Sequence, residues 1–382
     1  MPAGLATQGA LLYRGLQELG VDIMPVHLDW AIEKEWYYRW FKPDIAVGIG
    51  YWGYTPNLIL HPQSFGILPV PWLVADGFIA NYRDVLNNLP LILLTSNFVR
   101  DVYIRDGIRP DTLEVLPVGC DTDAFTSRER SDPRVAAVRD ALGITPDQLM
   151  ILTIGGDGAS KGAREMIPAL ARLGKDVSDW RYVIKVWAQP RTNRQNAEDI
   201  ALAEQYGIAE KVIFATGSMS RNLLPYLMAA CDIYAGPSRL EGFGMPHVEA
   251  NACEKPVIAI NAMSFLDTQV HGETALCAGV AAENVISEAT VFDDASDTVG
   301  RQIILDPPRI YDYRASVDDL VQHLEALMRD EALRRRLGEA GRRRAVERYH
   351  YRVVAQQFLS IVQRRLQGHP FIPPPSSSTV AA

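Results

Sequence analysis

ILTIGGDGASKGAREMIPAL, residues 151–170, reads as a strand that ends in Gly155-Gly156, a turn, and a helix that begins near Ser160-Lys161. The run 151–154 is apolar and β-branched, whereas Met166, Ile167, Leu170 and Leu173 recur at helical spacing and mark a buried face. Ser160 stands where an N-cap is needed, and Pro168 should kink or weaken the helix it enters. A glycine turn before a helix N-terminus presents backbone N–H groups and a positive dipole end, which suits phosphate, and Lys161 adds a full charge there. By itself the pattern does not prove a ligand, because many strand–helix turns hold glycine and lysine. No G-x-x-x-x-G-K-[ST] occurs, so this is not the phosphate loop of a nucleotide hydrolase.

Outward from this stretch the same unit repeats. Short β-branched runs alternate with longer segments of helical period, the pattern of βα units and parallel sheets. Strands are expected at 21–27, 44–50, 71–77, 91–96 and 113–119, and in a second series at 150–156, 181–187, 211–217, 232–238 and 255–260. Several are apolar almost throughout, as strands covered on both faces should be. A helix, TQGALLYRGLQELG, precedes the first series. The charged, proline-containing stretch 126–148 separates the two series and marks the domain boundary. Residues 281–315 read as an insertion. Consecutive amphipathic helices follow, and their arginine clusters (334–336, 342–344) are read as solvated faces, with an anionic membrane or ligand surface as the alternative. The tail GHPFIPPPSSSTVAA has the composition of a disordered segment. The chain starts almost in a turn (AGLATQG), so either an opening strand lies upstream of it, the favoured expectation, or this domain makes do with a smaller sheet.

The bulk numbers agree. A chain of 382 residues is too long for one core. Apolar residues make up 48% and charged residues 22%, and the net charge is −8, which argues against a general nucleic-acid binder. No apolar run is long enough to cross a bilayer, and the N-terminus lacks the features of a signal peptide. The four cysteines are scattered, with no metal-type spacing, and are expected to be reduced and buried in a cytoplasmic protein.

A second chemical stretch, SRLEGFGMPHVEA (238–250), follows strand 232–238. Gly242-Phe243-Gly244 lets a backbone approach a ligand closely, and Pro246 suits the first turn of a helix. Glu241 lies on the loop and Glu249 on the helix, so they can touch different parts of one ligand. Carboxylates accept strong hydrogen bonds from sugar and ribose hydroxyls, whereas a phosphate belongs with the amides and Lys161. This is again the carboxyl end of a parallel strand, where open α/β sheets bind ligands.

EGFGMPHVE, preceded by SRL and followed by ANACEKPVIAI, closely resembles the E-x7-E signature of glycosyltransferase family 4, retaining and metal-independent enzymes that use nucleotide sugars. LTSNFVRDVYIRDGI, VLPVGCDTDAF, VHGETAL (270–276) and YHYRVVAQQFLSIVQRRL resemble further segments of that family. The resemblance implies a GT-B fold: α/β, with two Rossmann-like domains whose parallel sheets face an interdomain cleft. The domains would span 1–145 (acceptor side) and 146–348 (nucleotide sugar). A helix over 349–366 would cross back to the first domain, ahead of a disordered tail, 367–382. Implied catalytic residues are Glu241 at the donor hexose, Lys161 at the diphosphate leaving group, and Asp76. Gly155, Gly156, Asp157, Lys185, Ser218, Gly242, Phe243, Gly244, Met245 and Glu249 would bind the donor, with Glu249 on the ribose. Gly4, Tyr51 and Trp52 would face the acceptor. Neither metal nor cofactor is implied. The partners would be a nucleotide sugar and a sugar, lipid or small-molecule acceptor, with peripheral contact at the inner face of a membrane left open.

Two positions depart from the family pattern. Where the family places an arginine after the strand, this chain has Gly156-Asp157, so the diphosphate site lacks a cation. Lys185, Arg164 or Arg239 could supply it, Lys185 first, while Asp157 would turn away or touch a sugar hydroxyl. Where the family commonly has histidine, LVADGF places Asp76. Beside the hexosyltransferase, two other readings therefore stand: a GT-B protein that binds donor without turnover, and another nucleotide-sugar enzyme such as an epimerase, which the E-x7-E block disfavours.

Overall fold

The computed structural model describes residues 4–74, 77–174, 177, 179–291 and 299–368. Asp76, expected at the site, and the tail from 369 onward lie outside the described residues. The described residues fall into two compact units. One holds Cys120–Val285 and Ile310–His350; the other holds the described residues up to Gly119, those of Ile286–Arg309, and those from Tyr351 onward.

The second of these is built on a four-stranded parallel sheet in the order β1 (Ile45–Tyr51), β2 (Leu68–Val74), β3 (Ile92–Leu94), β4 (Leu113–Val115). Leu73, Ile79, Leu86, Ile92, Leu94 and Tyr103 form its core, each without solvent exposure. The strand expected at 21–27 does not form. VDIMPVH joins no ladder, and most of it is exposed, so neither pairing nor burial fixes it as a strand. The helix Tyr351–Leu366 packs on the helix Gly4–Glu18. A Cβ on Gly15 would stand 2.6 Å from the Ala355 Cβ, which is why that crossing needs glycine. Tyr351 donates its hydroxyl hydrogen to Glu18 at 2.9 Å at the same crossing.

The larger unit carries a six-stranded parallel sheet, β10-β9-β8-β5-β6-β7. Its strands are β5 (Leu149–Ile154), β6 (Trp180–Val186), β7 (Val212–Thr216), β8 (Ile233–Ala235), β9 (Val257–Ile260) and β10 (Ala275–Ala278). Ile151, Leu152, Val183, Ile184, Ile233, Tyr234, Val257 and Ile258 are fully buried, because helices cover both faces. Chain order reverses between β5 and β8, so the turns that leave these two neighbours open at a topological switch point. The helix Pro133–Ala141 packs on Leu224–Ala230 in this unit; Arg139 donates to the carbonyls of Ala230 and Gln148 at 2.9 and 2.6 Å.

In the stretch 281–315, read as an insertion, the described residues form a two-stranded ribbon of β11 (Val280–Val291) and β12 (Arg301–Ala315). The arginine clusters are more than solvated faces. Arg336 donates to Gly272 O at 3.0 Å, Arg344 to Thr268 O at 3.2 Å, and Arg342 to the Ala252 carbonyl. These side chains therefore stitch the helices Glu331–Arg344 and Met245–Ala252 and the loop before β10 together. All four cysteines are free and buried. No helix among the described residues is long and apolar enough to cross a membrane.

Candidate donor site at the switch point

The turn after β5 and the turn after β8 are pressed together by backbone contacts. Arg239 N donates to Ser160 O at 3.0 Å, and a Cβ on Gly162 would stand 2.4 Å from Pro237 O. Gly162 also has φ +86°, so glycine is required there twice over. Ser160 is not the N-cap. It lies in a single 3-10 turn, Ala159–Lys161, and the helix Ala163–Ala171 starts only after the left-handed Gly162. Asp157 is the capping side chain instead, accepting from Ser160 N at 2.6 Å and Ser160 Oγ at 3.0 Å. Its charge is thus spent on its own turn.

This packing delivers Lys161 to Glu241. The ammonium donates to Glu241 Oε2 at 2.7 Å, and both side chains are about one-fifth exposed, at 22% and 18%. Burial pulls the Glu241 carboxyl upward, but the charge and hydrogen bond of Lys161, with help from His247 and the Gly244 N–H, hold it below the usual carboxylate range. The stem of Lys161 lies over Gly155, where a Cβ would meet Lys161 Cγ at 2.3 Å. Gly244 has φ +86° and caps the helix Met245–Ala252. Phe243 is buried and sets its ring edge-on to Tyr349 at 5.7 Å.

The departure at Gly156 has a physical counterpart. A Cβ there would stand 3.0 Å from the indole of Trp187, so a tryptophan from the segment after β6 fills the space into which a side chain would grow. Of the three cations considered as replacements, two are engaged by carboxylates. Arg164 donates to Asp199 at 2.7 Å and also pairs with Glu198, and Arg239 pairs with the buried Glu165 at 2.8 Å. Lys185, 6% exposed, donates to Gly217 O at 2.8 Å, and burial pushes its ammonium below the usual lysine range.

Glu249 is 3% exposed and accepts from Arg221 on Oε1. Burial raises its carboxyl and Arg221 opposes the rise, with the net shift upward. Nothing in the residue pattern singles out Arg221 from the other arginines; its place in GSMSR, a segment with no motif, hides it. His247 is buried with Nε2 at 2.6 Å from Gly236 O and its ring 4.3 Å from that of Phe265. Loss of hydration pushes it down to about 4, so it is a neutral packing residue. Ser218 is exposed on the loop after β7, and Met245 is half-buried.

The expected acceptor residues belong to the other unit. Trp52 packs on its core and donates Nε1–H to Phe78 O at 2.9 Å, Tyr51 sets its ring against Tyr54 at 4.5 Å, and Gly4 is exposed at the first helix's start. Among the described residues no cluster of His, Cys, Asp or Glu could hold a metal ion.

Residues 135–290 match the family model described as Glycosyl transferases group 1. A MMP alpha-(1->4)-mannosyltransferase of Mycolicibacterium hassiacum is 28% identical over 76% of this chain and 58% of its own length. A D-inositol 3-phosphate glycosyltransferase of Xylanimonas cellulosilytica is 33% identical over 44% of this chain and 40% of its own. The chain thus spans about half the length of these relatives. Among solved structures, HepE of Anabaena in complex with UDP and glucose superposes with TM-score 0.71 at 15% identity, covering 95% of this chain and 97% of HepE. A glycosyltransferase of Rickettsia africae gives 0.71 at 15% identity, with 96% of both chains covered. The chain is therefore a protein of the GT-B fold class, with two Rossmann-like parallel sheets, whose residues 135–290 match group 1 of the glycosyl transferases.

Proposed function

We propose that the protein is a hexosyltransferase that takes a nucleoside-diphosphate sugar as donor, binds it at the switch point between β5 and β8, and transfers the hexose with retention to an acceptor hydroxyl, without a metal. The observation that carries this reading is the pairing of each glutamate of the E-x7-E block with its own cation: Lys161 on Glu241 and Arg221 on Glu249. Each acid is thereby held beside a counter-charge as an acceptor for hydroxyls, and Lys161 stands ready to turn from Glu241 to the departing phosphate. Lys185 is the second cation of the diphosphate site in place of an arginine at 156. It has no acidic partner among the described residues, and its cost of burial is the kind a phosphate would offset. Leaving-group stabilisation and positioning would supply the rate. Asp76 is proposed as a further contact to the donor sugar, and the relatives' names support a sugar or phosphorylated polyol as acceptor.

Trp187 over Gly156 favours one second reading, a protein that binds donor without turnover. A thermal-shift screen against UDP-, GDP- and ADP-sugars, followed by measurement of free nucleoside diphosphate, tests both. Stabilisation with slow release of diphosphate supports the transferase. Stabilisation without release across an acceptor panel supports the inactive binder, and no stabilisation by any donor removes both.

A further inference from the structure

Glu249 is nearly enclosed, yet the side chain that faces it comes from a distant loop. Arg221 ends the GSMSR segment after β7, and its Nη2 donates to Glu249 Oε1 on the helix Met245–Ala252. The guanidinium is itself fixed from behind, its carbon 5.0 Å from the centroid of the Phe125 ring. Three other ionisable groups feel the Glu249 charge: Cys120 before Phe125, Cys253 at the end of the same helix, and Tyr234 on β8. Burial pushes all three above their ordinary values, so they are neutral near pH 7 and give Glu249 no counter-charge.

We infer that Arg221 is a positioning residue for the donor ribose: it occupies Oε1, supplies the counter-charge to Glu249, and leaves Oε2 to accept from the ribose hydroxyls. The inference rests on the reading of Glu249 as the ribose ligand. An ionised carboxylate only accepts, which matches a pair of hydroxyl donors, whereas a protonated one must itself donate. Phe125 holds the guanidinium plane, so the fork is set before the nucleotide arrives, and ordering it costs little on binding. The arrangement also explains why an arginine, one-third exposed at 32%, stays against a buried acid and does not turn to solvent.

The test is calorimetric binding of UDP, GDP and ADP, and of the 2′-deoxy and 3′-deoxy forms of the tightest of them, from pH 5.5 to 8.5. Wild type should bind with a nearly flat pH profile and prefer the ribonucleotide. Arg221→Met should weaken binding about tenfold near pH 7, the scale of one lost hydrogen bond to a charged group. It should also lose much of the preference for ribose over deoxyribose. Its affinity should rise with pH, because without the cation the Glu249 carboxyl moves further up and ionises only in more alkaline solution. Arg221→Lys, which restores charge without the fork, should recover the flat profile and part of the affinity, and it carries the test if the methionine variant fails to fold. If Glu249→Gln binds the ribonucleotide and both deoxy forms as wild type does, the ribose reading fails and the inference with it. If Glu249→Gln loses affinity while Arg221→Met keeps wild-type affinity, ribose preference and a flat profile, the ribose reading stands and the inference about Arg221 is overturned.

Discussion

Lys161 and Glu241, eighty positions apart in sequence, meet at 2.7 Å because the turns after β5 and β8 lie side by side at the switch point of the larger sheet. In the proposed reaction this pair is exchanged: a diphosphate draws the ammonium, and a sugar hydroxyl takes its place on the carboxylate. Lys161→Ala should therefore lower single-turnover sugar transfer by about a hundredfold or more, the scale of losing one preorganised charge at a leaving group. Because the pair is partly exposed, the cost in stability should be only about 1–2 kcal/mol, read from denaturant unfolding. A variant with wild-type turnover would remove Lys161 from the mechanism.

Lys185→Met should separate phosphate binding from nucleoside binding. We expect affinity for nucleoside diphosphates to fall about tenfold, while affinity for the free nucleoside is unchanged. The melting temperature should hold or rise, since a buried cation that donates to one carbonyl is replaced by an apolar side chain of similar length. Equal losses for diphosphate and nucleoside in calorimetry would show that Lys185 does not read the phosphates.

Gly156→Arg should not simply rebuild the family pattern. The new side chain would grow into the Trp187 indole, and overpacking of that kind costs about 1–3 kcal/mol. Combining it with Trp187→Ala should recover stability and tighten diphosphate binding, so the two changes should be strongly non-additive in a double-mutant cycle. Additive effects would mean that the indole is not what excludes a side chain at 156.

His247 sets an acid limit on the larger unit. Its folded pKa is pushed down to about 4 by burial, whereas an unfolded histidine titrates near 6.5. Between these values the unfolded chain binds more protons, so stability rises with pH across that window, is complete above about 6.5, and is lost as pH falls toward 4. The full effect is about 3 kcal/mol by linkage. His247→Gln should flatten that part of the pH–stability curve measured by urea unfolding; an unchanged slope would place the titration elsewhere.

Much of this arrangement was legible in the residues. Nine of the ten strands expected in the two series coincide with β1–β9, because uniformly apolar β-branched runs bounded by glycine and proline have few other uses. The exception, 21–27, is less uniform, with Asp22 and Pro25 inside it; a strand also needs a neighbour, and VDIMPVH joins none. Lys161, Glu241 and Glu249 were found because each lies in a stretch where glycine fixes the backbone. Arg221 and Trp187 were missed because their importance lies in what they face across the sheet ends, Glu249 and Gly156, which no local spacing encodes. The N-cap falls two positions beyond Ser160: the left-handed Gly162 delays the helix, and Asp157 caps the turn before it.

The seat of the helix Tyr351–Leu366 on Gly4–Glu18 also sets an order of events at the ribosome. The unit that begins the chain is closed by the chain's late residues, so Leu11, Leu12 and Leu16, buried in the finished protein, are made long before their covering helix. At roughly 5–20 residues per second, the roughly 230 residues between Gly119 and Tyr351 take on the order of ten to fifty seconds to add. For that interval the nascent first unit must keep an open apolar face or borrow a cover from a chaperone. The unit formed by Cys120–Val285 and Ile310–His350 has no such wait beyond its own length. Chains arrested after His350 should accordingly show protease cleavage concentrated before Gly119, and uniform protection there would mean that the first unit closes without its last helix.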